Sequence, residues 1–127
     1  MGIRTYQKVE LTDLINPGNP MYIEVTGIVR GCREDHYLGV FGNPQGFYSG
    51  LLQSINEPNF FVCIAGMVGI KDDLGYVLRI LSASSETNLP VTIRGSSGAD
   101  PERPGVHHIA EIDFGNLKYK CSDKNLI

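Results

Sequence analysis

The sequence predicts a mostly β fold with one helix. Three observations carry that expectation. Residues 59–118 read in order as strand, amphipathic helix, strand, Gly/Pro-rich loop and strand. Residues 21–31 alternate with a period of two, as a half-buried strand does. Residues 72–84 place apolar side chains at helical spacing instead. At 127 residues the chain has the length of one domain, 1–127, long enough for a core without disulfides or metal. The element pattern puts the folded core at roughly 21–118 and a polar tail at 119–127.

The elements follow in chain order. Residues 3–15 read as a short strand or a helical turn, ended by the turn cluster Asn16-Pro17-Gly18-Asn19-Pro20. In the first strand Ile23, Val25, Gly27 and Val29 share one face. Gly27 permits a bend or bulge. Gly31–Asp35 reads as a charged loop. A second strand is expected in two pieces, 36–42 and 47–54, interrupted by Gly42-Asn43-Pro44-Gln45-Gly46, and a hairpin reads equally well. The third strand, Phe60–Val68, is apolar on both faces: Phe60, Val62 and Ile64 on one, Phe61, Cys63, Ala65 and Met67 on the other. Both faces then need cover. In the helix Leu74, Val77, Leu78 and Leu81 form one stripe, with Asp72 or Asp73 to cap it. Val91–Arg94 is the fourth strand and His107–Leu117 the fifth, with Ala110, Ile112 and Phe114 inward and Glu111 and Asp113 outward.

Two stretches carry a resemblance. The helix leads through polar residues into Leu89-Pro90-Val91-Thr92-Ile93-Arg94-Gly95, and a variable loop leads into Gly105-Val106-His107-His108-Ile109-Ala110-Glu111-Ile112-Asp113. With the bent first strand, this resembles an OB-fold over roughly 21–118. The resemblance implies a five-stranded OB-fold-like barrel with the helix between strands three and four, a fold used more for binding than for catalysis. Another small antiparallel barrel or sandwich with one helix fits the same pattern.

Composition narrows the functions. The formal net charge is −3, so no global positive field draws the chain to phosphate. Cys32, Cys63 and Cys121 form no CxxC pair, which argues against a zinc ribbon or a thioredoxin-like site and for reduced thiols in a cytoplasmic setting. The N-terminal residues hold no signal-peptide pattern, Tyr6 spoils a myristoylation motif, and no stretch approaches the roughly 20 apolar residues that span a bilayer. No membrane association and no cofactor are expected.

The OB resemblance places ligands across strands two and three, edged by the loops between strands one and two and between four and five. That implies Arg30, Arg33, His36, Tyr37, Phe41, Phe47, Tyr48, Arg94 and Arg103 as candidates, arginines for charge and aromatics for stacking, as single-stranded nucleic acid requires. Against this, Glu34, Asp35, Asp100 and Glu102 lie in the same loops. The outer row Phe61, Cys63, Ala65 and Met67 suggests a homo-oligomeric interface. His107, Glu111 and Asp113 share a strand face, but 107 and 111 stand about 13 Å apart along a strand, so no metal site is expected. Gly95–Pro101 resembles a phosphate cradle in composition alone. Cys32 and His36 are close in sequence, yet nothing in the spacing makes a catalytic set. The expectation is a non-catalytic binding or assembly module that self-associates. The alternative is a single-stranded nucleic-acid binder, and after that an enzyme with an unrecognised site. A small carbohydrate or peptide ligand is also compatible.

Overall fold

One long strand, β2 (Tyr22–Leu38), organises the molecule by pairing with two different partners along its length. The computed structural model describes residues 5–16, 18–38, 44–68, 72–98 and 104–121, with backbone alone at 35–38, 44–45 and 72. Up to Gly27, β2 runs antiparallel to β5 (Val91–Ser97). From Ile28 onward it runs antiparallel to β3 (Pro44–Gln53). β3 pairs with β4 (Phe61–Val68), β4 meets β6 (Gly105–Phe114) in parallel, and β6 returns antiparallel to β5. The circuit β2–β3–β4–β6–β5–β2 is a closed barrel of five strands.

Two short strands flank it. β1 (Gln7–Lys8) lies parallel to the start of β2, and β7 (Leu117–Lys120) pairs with the end of β6. Because β1 precedes the barrel, the helix α1 (Asp72–Thr87) falls between β4 and β5, not between the chain's third and fourth strands as expected. Among the barrel's own five strands it still follows the third.

Several expectations are corrected. The charged run 31–35 is not a loop. It continues β2 past a bulge between Val29 and Cys32, where Gly31 takes φ +112°. The interrupted second strand is a hairpin: its first piece belongs to β2 and its second is β3, with Leu38 opposite Pro44. The segment before Asn16 supplies both β1 and a 3-10 turn, Leu11–Ile15. The polar tail starts later than expected, since β7 is a strand and both Tyr119 and Cys121 are buried.

The core follows the alternation read from the sequence. Ile23, Val25 and Val29 of β2, Val62 and Ile64 of β4, and Ile93 of β5 are buried. Each such side chain contributes about 1.5–3 kcal/mol by leaving water. Leu11 and Leu14 plug the barrel from the 3-10 turn. Leu11 passes close over Gly27, where a Cβ would lie 2.9 Å from Leu11 Cδ1 and 2.6 Å from Gln53 O. Gly27 thus stands where β2 changes partner and leaves no room for a side chain.

Helix α1 buries Leu74, Val77, Ile80 and Leu81 against the barrel. Its buried Ser84 joins helix to bulge: the hydroxyl accepts from Val29 N at 3.1 Å and donates to Leu89 O at 2.6 Å. The bulge would otherwise leave the Val29 amide without a partner in the core. Asn88 ends the helix in the left-handed region, φ +63°, as helix caps commonly do. No helix among the described residues is long and apolar enough to cross a membrane.

Candidate functional site

Strand alternation sends one set of side chains from β2, β3 and β4 outward. The register aligns them in rows: Arg33 with Ser49 and Ala65, Leu51 with Cys63, Gln53 with Phe61, and Phe47 with Met67. Leu51 and Phe61 are each 42% exposed, large values for apolar side chains in mid-sheet. Cys63 and Arg33 are also exposed, and Phe47, Ser49, Ala65 and Met67 are half-buried. An open groove of about 520 Å³ runs over the two middle rows, Arg33 with Ser49 and Ala65 and Leu51 with Cys63, to the bulge. Gly31, Ser49, Gly50 and Ala65 give it depth because they project little or nothing. Among the described residues its charged lining residues are Arg30 and Arg33.

Arg30 is fixed at one end of the groove. Its Nε donates to Gln53 Oε1 at 2.7 Å, and its Nη2 donates to Asn88 Oδ1. Gln53 is held in turn by its own amide donating to Pro58 O at 2.7 Å.

The structure thus brings two expected sets onto one face. Arg30, Arg33 and Phe47 from the ligand set share it with Phe61, Cys63, Ala65 and Met67 from the interface set. Tyr48 does not join them. Register turns it inward, 1% exposed, and its phenol packs where a Cβ on Gly66 would overlap it. Among the described residues its hydroxyl has no hydrogen-bond partner. Burial, with lesser contributions from Tyr119 and Cys121, pushes its pKa well above the usual tyrosine range. Tyr48 is a core residue, not a stacking platform.

Arg94 lies on the far side of the barrel. Its Nε meets Glu24 Oε1 and its Nη1 meets Asp113 Oδ2, each at 2.8 Å. Partial burial opposes its charge, but these two carboxylates outweigh that and raise its pKa. Its charge is spent within the fold. His36 and Tyr37 occupy β2 opposite Gly46 and Gln45, with backbone alone described, and Phe41 and Arg103 lie outside the described residues.

Cys32 Sγ sits 3.5 Å from Ser82 Oγ and 4.0 Å from Leu78 O, against the helix. β6 bulges at His108, φ +50°, opposite Gly95. Among the described residues no group of three or more His, Cys, Asp or Glu side chains is arranged to hold a metal ion. Sequence reasoning missed Ser49, Leu51, Gln53 and Asn88. For the β3 residues the signal was present, a period of two over 47–53, once the hairpin fixes its phase.

A closed five-stranded barrel of this order, with its helix after the third barrel strand, is an OB fold. No protein-family model matches the chain, and no curated protein matches it in sequence. Among solved structures it is similar to the OB domain of Ta0387 from Thermoplasma acidophilum, determined by solution NMR. The TM-score is 0.51 at 15% identity, over 91% of this chain and 92% of that one. At that identity the likeness establishes the fold alone.

Proposed function

We propose that this chain is a non-catalytic binding module whose contact surface is the outer face of β2, β3 and β4. One observation carries the reading: an open groove with Arg30 and Leu51 in its lining, on a face that also bears the exposed Phe61. Apolar exposure in mid-sheet marks surfaces that meet something. Amide chemical-shift mapping on the full chain, titrated with a single-stranded oligonucleotide and with amphiphilic dyes, tests it. Shifts centred on Arg33, Leu51 and Cys63 are expected, and shifts confined to the Arg94 side of the barrel refute it.

Self-association through the same face is the form of this reading that the exposed apolar side chains Leu51, Phe61 and Cys63 favour. Light scattering after size exclusion then gives a mass above 13.9 kDa that survives salt and falls in Phe61→Asp. A monomer at all concentrations removes self-association and leaves the face to another ligand. Single-stranded nucleic acid is favoured by Phe47 and Phe61 flanking the arginines, and it predicts binding that weakens steeply with salt.

A further inference from the structure

Arg30 and Arg94 are both held by two side-chain acceptors, but the acceptors differ in charge. Arg94 meets two carboxylates. Arg30 meets two amide oxygens, from Gln53 and Asn88. Neutral acceptors fix a guanidinium's position without cancelling its charge, and two of its five N–H groups satisfy them. The others meet no acceptor among the described residues. Each anchor is itself constrained, Gln53 by its bond to Pro58 O and Asn88 by the left-handed turn that ends the helix. This cation is therefore oriented in advance and open on the side of an apolar groove.

We propose that the groove binds a small organic anion, with its acidic group on Arg30 and its apolar body along Leu51, Cys63 and Ala65. The assignment rests on the reading of this face as the contact surface and adds the class of ligand. A groove of about 520 Å³ has the size of sites that take one small molecule. A charge-assisted hydrogen bond from a fixed arginine fork supplies orientation, and the apolar floor supplies contact area.

Two dyes of one shape separate the charge from the apolar body: anionic 8-anilinonaphthalene-1-sulfonate and neutral N-phenyl-1-naphthylamine. Both are titrated into the full chain by fluorescence, with amide shifts locating them. The sulfonate is expected to bind ~tenfold tighter or better, the usual discrimination of one charge-assisted contact. Arg30→Gln should remove that preference while leaving the neutral dye's affinity unchanged. Asn88→Asp keeps the arginine and sets a carboxylate against it, so it should lower sulfonate affinity by a similar factor. It also guards against misfolding of the first variant, since Asp tolerates the left-handed backbone. Equal affinity for the two dyes, or a sulfonate preference that survives both variants, overturns the anion assignment and leaves the contact surface standing. Failure of both dyes to shift groove amides overturns the anion assignment and counts against the contact surface as well.

Discussion

The two halves of the barrel surface share strand β2 and treat their polar groups in opposite ways. On the β5 side, Arg94 sits between Glu24 and Asp113, and the hydroxyls of Thr26 and Thr92 share a hydrogen bond of 3.0 Å. On the β3–β4 side, Arg30 is held by two neutral amide oxygens at the edge of a groove, and Leu51 and Phe61 are exposed. The first surface neutralises its arginine, and the second leaves Arg30 without a carboxylate among the described residues. Counting charges along the chain would rank Arg94 with Arg30. Pairing, not residue type, separates a cation that holds the fold from one that can meet a ligand.

Variants can break this contrast, and the largest effect should come from beneath the open face. Gly66→Val drives a side chain into the Tyr48 phenol and should destabilise the fold by about 3 kcal/mol in urea titration. An unchanged midpoint would mean that the floor under the groove is loosely packed. Ser84→Ala strips the bulge of its acceptor and should cost about 2 kcal/mol, because the Val29 amide stays buried without a partner. A loss under half that would show that the amide finds another acceptor.

The next pair compares the surfaces directly. Arg94→Met leaves two carboxylates facing each other and should cost roughly 1–2 kcal/mol, discounted for their partial exposure. Leu51→Ser should stay within about 0.5 kcal/mol while weakening binding in the groove. Equal stability losses in the two variants would erase the distinction.

Tyr48→Phe should be the mildest change, neutral or slightly stabilising, because the hydroxyl it removes has no partner. It carries a pH signature. Burial raises the Tyr48 pKa in the folded protein, so the stability linked to it is intact below about pH 10, where unfolded tyrosine ionises. Above that, stability should fall by about 1.4 kcal/mol per pH unit, since the unfolded chain alone gives up this proton. The variant should show a shallower alkaline limb than the parent, and identical limbs would place the loss elsewhere. Tyr119, also raised by burial, keeps part of the slope.

Much of the fold was legible because its signals are local. The stripe Leu74, Val77, Leu78 and Leu81 marked the helix, and the alternation of Ile23, Val25 and Val29 marked the first half of β2. The continuation of β2 was hidden because Arg33, Glu34 and Asp35 are polar on consecutive positions, so no period shows. That charge run looks the same in a loop and in an exposed hairpin strand. β7 was missed because Tyr119 alone in Leu117–Lys120 turns inward. The candidate site was half legible: its residue types could be named, but their pairing could not. Arg94 lies 70 residues from Glu24 and 19 from Asp113, and no local pattern reveals such partners.

The ring of strands is not uniformly fastened. Among the described residues, β4 and β6 meet at two register positions, Cys63 with Gly105 and Ile64 with Val106, whereas β3 and β4 stay in register from Gly46–Val68 to Gln53–Phe61. A short ladder opens at lower free energy than a long one, so the barrel has a seam, and hydrogen exchange should enter there before it reaches β3. Cys63 and Ile64 belong to both the seam and the groove wall. Whatever rests on the outer face therefore also presses on the stitch that closes the barrel.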